Sequence, residues 1–318
     1  METAELVLTP LPPYDFALVL AYLRASPATV VEEVGDDGTY RRALLLDGRP
    51  VLLSLRSLGT TAAPRLLLEL RGEALDGVTV EAAAALVARV FHLEVDPAPF
   101  LAVARADPVF GALVERLPGV RPVLIPDPFE ALAWAVLGQQ INVFFARKLK
   151  RTLVELCGRR LVVDGRPYPL FPEAAAVALL DPEALRARQF SRQKTAYLLE
   201  LARAVALGEL DLPGLALLPA EEALRRLTSF RGVGRWTAEY VLMRGLGFRD
   251  VIPAADKGLC AIIGRAYGLG RLATEAEVRA LAEQWAGWRG WAAFFWWLTL
   301  QQERLARLGG AAPAAGGG

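Results

Sequence analysis

Two textures divide this chain, and one kind of layer cannot accommodate both. Over the first hundred residues the runs VVEEVG, TYRRALLLDG, PVLLSLRS and PRLLLELRG are short and β-prone. Between them stand GDDG, DGRP and GTTAAP, which are turn chemistries. Two flanking segments, DFALVLAYLRA and TVEAAAALVARVFHL, space their apolar residues as helices do. Residues 1–97 therefore predict a small α+β domain, an antiparallel sheet with helices on one face. DPAPF at 96–100 reads as the junction.

Beyond it the pattern is helical throughout. FEALAWAVLGQQINVFFARKLKRTLVELCG predicts a long apolar-faced helix or a pair. PEALRARQ, QKTAYLLELARAVAL, AEEALRRLTS, GRWTAEYVLMRG, KGLCAIIGRAYG, EAEVRALAEQWAGW and WAAFFWWLTLQQERLARL follow, joined by short connections rich in Pro and Gly. No period of 20–50 residues recurs, which argues against a solenoid. Residues 98–308 thus predict an all-α domain. The low-complexity end GGAAPAAGGG, 309–318, predicts a disordered tail.

Composition removes several kinds of chemistry. No apolar run is long enough to cross a bilayer, and METAELVLTPLPPYDF lacks the layout of a secretory signal. The expectation is cytoplasmic residence. Cys157 and Cys260 are the two cysteines, and no cluster has metal-ligand spacing. The one histidine, His92, lies in the apolar stretch LVARVFHLEV and predicts a structural side chain. Zinc enzymes, iron–sulfur proteins and histidine-dependent hydrolases are poor candidates. Charge is uneven: residues 1–100 hold 8 Lys/Arg against 14 Asp/Glu, whereas 141–200 hold 11 against 6 and 231–271 hold 7 against 3. An anionic partner is expected for the later part.

The most informative stretch is SFRGVGRWTAEYVLMRGLGFRDVIPAAD, 229–256. It predicts a helix, a four-residue turn and a second helix, with the hairpin at about 222–245. Gly232 and Gly234 allow dihedral angles and close approach that side chains forbid. The second helix then opens its free N–H groups and positive dipole end toward an anion, for which a DNA phosphate is the natural guest. Gly232, Val233 and Gly234 are the candidate grip. Held by backbone amides, a phosphate needs no strongly basic protein.

LTSFRGVGRWTA at 227–238 fits LxxFxGVGxxTA, which resembles the helix-hairpin-helix element of DNA repair glycosylases. In that superfamily a Gly/Pro-containing stretch and an aspartate follow; here GLGFRDVIPAAD ends at Asp256. The chain is most similar to the AlkA-type 3-methyladenine DNA glycosylases (glycosylase II). PPYDF at 12–16 resembles that family's opening signature, and AVLGQQIN at 135–142 its segment that probes the opened duplex. FSRQKTAYL at 190–198 resembles its Ser-x-x-Lys helix start, here Ser191 and Lys194, and WAGWRGWA at 285–292 its C-terminal tryptophan motif. The resemblance implies an α+β N-terminal domain followed by an all-α helix-hairpin-helix glycosylase domain of two subdomains flanking a cleft. It also implies contacts to DNA from Ser191 and Lys194.

The residues permit the matching chemistry. Breaking an N-glycosidic bond requires a stabilised leaving base and a negative charge facing the sugar's developing positive one. Asp256 is the candidate carboxylate, which would also orient the attacking water; it reads equally as the N-cap of KGLCAIIGRAYG. The base must be turned out of the duplex, and ring-alkylated purines are cations that attract aromatic faces. Trp236 and Tyr240, four apart, share a helix face, and the resemblance adds Trp297 opposite them. Trp285, Trp288 and Trp291 are expected to be packing residues. Gln139 and Gln140 are candidates to fill the gap in the duplex, or else amides inside a helix bonded to neighbours. Some relatives carry an aliphatic wedge at the position of Gln140, and Ala255 stands where some have a second acidic residue. Bifunctional members of the superfamily place a nucleophilic lysine in the hairpin's second helix. RWTAEY has none, which predicts a glycosylase without a lyase step; Lys257 is the rival lysine.

The expectation is a monofunctional base-excision enzyme acting on double-stranded DNA containing alkylated bases of the 3-methyladenine and 7-methylguanine class. It would be a monomer of bacterial type on the nucleoid, with no membrane partner and no cofactor. A monovalent cation bridging hairpin carbonyls to a phosphate is implied by resemblance alone. The alternatives are a non-catalytic helix-hairpin-helix DNA-binding protein, a same-superfamily glycosylase for oxidised or mismatched bases, and an apolar-ligand scaffold.

Overall fold

The computed structural model describes the backbone of residues 1–309 and the side chains of 1–303. All but the first residue of the tail expected at 309–318 lies outside the described residues. In the N-terminal part the order is β1 (Glu2–Leu8), α1 (Phe16–Ala25), β2 (Glu32–Val34), β3 (Tyr40–Leu46), β4 (Arg49–Ser57), β5 (Leu66–Gly72) and α2 (Gly77–Val90). The five strands form one antiparallel sheet in the order β1-β5-β4-β3-β2. Alternation sets its faces. Val51, Leu53 and Leu55 of β4 enter one core with α1 and α2, while Leu52 points the other way. Strand β1 was not expected: ETAELVL is an edge strand with little burial, and its polar alternation looks like loop.

Next come α3 (Ala98–Arg105), α4 (Pro108–Glu115), α5 (Pro128–Gly138) and α6 (Val143–Cys157). The expected long helix is thus a pair, broken at residues 139–142. A hairpin follows, β6 (Arg160–Val163) and β7 (Arg166–Pro169), which corrects the wholly helical expectation. Its turn, Asp164-Gly165, has both φ values positive, as Asp47-Gly48 does between β3 and β4. Leu161, Val163 and Leu170 cover Ala43 and Leu52 on the sheet's outer face.

The remaining helices are α7 (Ala174–Ala178), α8 (Pro182–Ala187), α9 (Arg192–Ala206), α10 (Leu212–Leu215), α11 (Ala220–Thr228), α12 (Arg235–Arg244), α13 (Lys257–Ala266), α14 (Glu275–Ala282) and α15 (Arg289–Gly309). They divide between two cores. One joins the sheet to α3, α4 and α13–α15, so the sheet's core runs past residue 97. The other is built from α5–α12. Trp297 packs against both and marks the seam. Trp285, Trp288 and Trp291 are buried in the first core, as expected.

A buried ionic cluster fixes the two parts together. Glu130 on α5 is fully buried between Arg42 of β3, which it contacts closely, and Lys150 Nζ of α6 at 2.6 Å. Arg42 also reaches Glu32 at 2.5 Å, and Lys150 donates to the Ala28 carbonyl at 2.6 Å. The two cations hold the Glu130 carboxyl below its usual range despite its burial.

His92 is structural, as expected. It is buried against Trp291, its Nδ1 lies 2.9 Å from the Pro122 carbonyl, and burial pushes its pKa down to about 4. The unfolded chain takes up this proton near pH 6.5, so the unfolded state binds more protons between those values and stability falls as pH drops. Burial pushes Asp127 up to about 6, which acts in the opposite sense. The comparison protein is therefore His92→Asn, whose amide replaces the ring N–H and tolerates the local φ of +51°. Between pH 7 and 5, urea unfolding should show the unsubstituted protein losing about 2 kcal/mol more than His92→Asn. Equal losses would mean that the folded imidazole carries its proton.

Candidate active site

The second core ends at the helical hairpin. Helix α11 stops at Thr228, residues 229–234 turn, and α12 starts at Arg235. Gly232 needs to be glycine twice over. Its φ is +88°, and a β-carbon would sit 2.5 Å from Cδ2 of Tyr197 on α9. Gly234 does not fit that expectation: its φ is −79° and a β-carbon there would meet nothing. It is the N-cap of α12 and supplies no side-chain acceptor, which leaves the first N–H groups of α12 open. Val233 is buried, so its part in any grip is limited to backbone; its N–H bonds to the Phe230 carbonyl at 3.1 Å.

Gln139 ends α5 and crosses to the hairpin. Its Nε2 donates to the Gly232 carbonyl at 2.8 Å and to Thr237 Oγ1 at 3.0 Å. Gln140 is exposed and left-handed, with φ +57°. Neither amide lies inside a helix, because Asn142 caps a new one at Val143. Lys194 is corrected from a DNA contact to a structural lysine. It is 8% exposed, and its ammonium donates to the Gln139 carbonyl at 2.6 Å and the Val136 carbonyl at 3.2 Å. Ser191 is exposed, but its hydroxyl accepts from Lys194 N–H as the cap of α9. The helix start expected to hold DNA thus holds the 139–142 loop. Thr237 and Tyr197 complete this joint and were not singled out from the sequence, although Thr237 stands in the hairpin motif.

The three aromatics and the carboxylate converge at the seam. Tyr240 lies between two indoles, with ring centroids 5.7 Å from Trp236 and 5.9 Å from Trp297. Asp256 is half-buried, and its expected capping role is met. It caps α13, with Oδ1 accepting from Leu259 N–H at 2.8 Å. It also receives both indole N–H groups, Trp297 Nε1 on Oδ1 at 3.0 Å and Trp236 Nε1 on Oδ2 at 3.3 Å. A carboxylate has about four acceptor positions. Three donors leave one, on Oδ2, for a water or a sugar. Burial drives the Tyr240 phenol well above its usual range, so it is neutral and its ring face is what it offers. Lys257 is exposed.

Comparison with known proteins agrees with this layout. Residues 133–287 match the HhH-GPD superfamily of base excision DNA repair proteins, and residues 5–126 match the AlkA N-terminal domain. DNA-3-methyladenine glycosylase 2 of Escherichia coli is 32% identical over 91% of this chain and 95% of its own. DNA-3-methyladenine glycosylase of Bacillus subtilis is 38% identical over 66% of this chain and 69% of its own. The solved 3-methyladenine DNA glycosylase of Archaeoglobus fulgidus superposes with a TM-score of 0.83, at 27% identity, over 94% of this chain and 99% of that one.

The reassignment of Lys194 is testable. Lys194→Met takes the donor from the Gln139 carbonyl and one of two donors from the Val136 carbonyl, and should cost about 1–3 kcal/mol in urea unfolding. The salt dependence of DNA binding should not change. A slope lower by about 0.9 would mean that a phosphate contact had been lost, and Lys194 would return to the DNA surface.

Proposed function

The chain belongs to the DNA-3-methyladenine glycosylases of the HhH-GPD superfamily, and from that premise we propose that it turns alkylated purines out of duplex DNA and hydrolyses their N-glycosidic bond without a lyase step. The observation that carries this reading is the Asp256 carboxylate, held by two indole N–H groups beside a cluster of three tilted aromatic rings.

The amides at the start of α12 would receive a phosphate, and Gln140 would enter the gap left by the base. A cationic 3-methyladenine or 7-methylguanine would lie against Trp236, Tyr240 and Trp297, attracted through their faces. As the bond to C1′ lengthens, its electron pair goes to the leaving base and positive charge grows on the sugar. Asp256 faces that charge, and its open Oδ2 position holds the attacking water. The water oxygen bonds to C1′ and its proton is released, leaving an abasic site. A monovalent cation expected at the hairpin would be held by the Gly232 carbonyl, whose first lone pair takes Gln139, and would supply positive charge for a phosphate there. The setting is the cytoplasm, on the nucleoid, and the working unit a monomer.

Release of 3-methyladenine from methylated duplex should be readily measured for the unsubstituted protein. Asp256→Asn should lower it by about 100-fold or more, with DNA binding kept. Trp297→Phe keeps a ring but removes one N–H from the carboxylate, and should lower kcat by about 10-fold or more. Binding without base release in every protein would favour the DNA-binding module instead.

With no lysine in the first turns of α12, borohydride should trap no covalent protein–DNA adduct. An adduct lost in Lys257→Ala would show that the exposed lysine beside Asp256 forms a Schiff base.

A further inference from the structure

Of 7 Trp, 7 Tyr and 13 Phe, Phe144 is the one aromatic side chain that is exposed, at 68%. A lone apolar side chain on a surface is ordinary; its address is the informative part. Phe144 is the second residue of α6, four after the exposed, left-handed Gln140. Lys148 and Arg151 continue the same exposed helix face at i+4 and i+7. Lys148 donates to the neutral Gln189 amide at 2.7 Å, and Arg151 has neither hydrogen bond nor ion pair among the described residues. Two cations without carboxylate partners thus follow an aromatic ring along one ridge.

The direction of that ridge decides its use. Gln139 is fastened to Thr237, next to Trp236, and so stands at the mouth of the aromatic pocket. Helix α6 packs chiefly against α5 and α7. The chain from Gln139 through Gln140 to Phe144 therefore leads away from the pocket, and on the base-turning reading that side faces the strand that keeps its bases.

Resting on the base-turning reading above, we infer that Phe144 stacks on the base left without a partner, while Lys148 and Arg151 follow the phosphates of that strand. Phe144 touches neither the leaving base nor C1′. It is a positioning residue that replaces the stacking lost when the damaged base departs. Every base has a π-face, so the contact suits any partner base.

The test uses duplex DNA with a tetrahydrofuran abasic analogue and 2-aminopurine opposite it, whose emission reports stacking. The unsubstituted protein should bind it and shift that emission. Phe144→Ala should bind about 5- to 150-fold more weakly, leave the emission unshifted and melt at the same temperature as the unsubstituted protein. Phe144→Trp should restore both binding and the shift. Binding and emission unchanged in Phe144→Ala would overturn the inference, and so would equal weakening toward undamaged duplex. Base release by the unsubstituted protein separates the two readings. If it excises 3-methyladenine while Phe144→Ala is unaltered, only the stacking is wrong. If it excises nothing but the emission shift depends on Phe144, only the chemistry is wrong.

Discussion

A carboxylate with no solvent contact, Glu130, sets the frame on which the site is built. It lies on α5, and its two oxygens hold Arg42 from the sheet and Lys150 from α6. Burying three charges is expensive, and such a cluster adds little net stability over an apolar one of the same volume. Removing one member is a different matter, since it strands the others at roughly 3–5 kcal/mol. The cluster therefore acts as a constraint on geometry: α5 can neither slide nor rotate without separating the pairs. The far end of α5 is where that matters. Gln139 leaves it to bind the hairpin, and Lys194 takes the carbonyls of Val136 and Gln139. The placement of the 139–142 loop is thereby referred back to the N-terminal sheet.

The capping role of Asp256 is compatible with the reactive one proposed for it. A cap fixes a carboxylate by a backbone N–H, here that of Leu259, and puts it at the positive end of a helix. Those are also the conditions for presenting negative charge to a substrate without reorganisation. The indoles add a second restraint and tie the carboxylate to both sides of the seam, since Trp236 belongs to the hairpin and Trp297 to α15. The same two side chains set their rings against Tyr240 and give their N–H groups to the acid. Pocket and charge are consequently positioned as one unit.

Most of this was legible where local signals are dense. Gly232, Gly234, Trp236, Tyr240 and Asp256 fall within one stretch of 25 residues, 232–256, and helical spacing alone brings the two rings together. Trp297 came only by resemblance, because nothing local links α15 to α12. The α+β part was legible from its turns, yet β1 was lost because an edge strand half in water alternates weakly. The β6–β7 hairpin was lost although its DGRP turn repeats the one at 47–50 letter for letter. A helical context outweighed the turn chemistry. Lys194 was misjudged because charge suggests a surface, and the pattern of a helix start cannot say that two carbonyls wait inside. The partners of Glu130 were beyond reach: Arg42 is 88 residues away in the chain.

The capping of the helices carries the last step. Asp, Asn, Ser or Thr side chains cap ten of them, α1, α2, α4, α5, α6, α8, α9, α10, α13 and α14. This chain closes its helix starts as a rule. Helix α12, buried along its whole length after the first turn, has Gly234 instead, and neither space nor dihedral demands glycine there. A serine or aspartate would fit and would bond the open amides. Glycine costs only a few tenths of a kcal/mol against such a cap, whereas alanine costs about 1. It is thus the residue that keeps these amides free with the least loss of stability. The fold gives no reason to keep them free, whereas the phosphate proposed for this site does. On that proposal the reason for Gly234 lies in the ligand, whereas the reason for Gly232 lies in the ring of Tyr197.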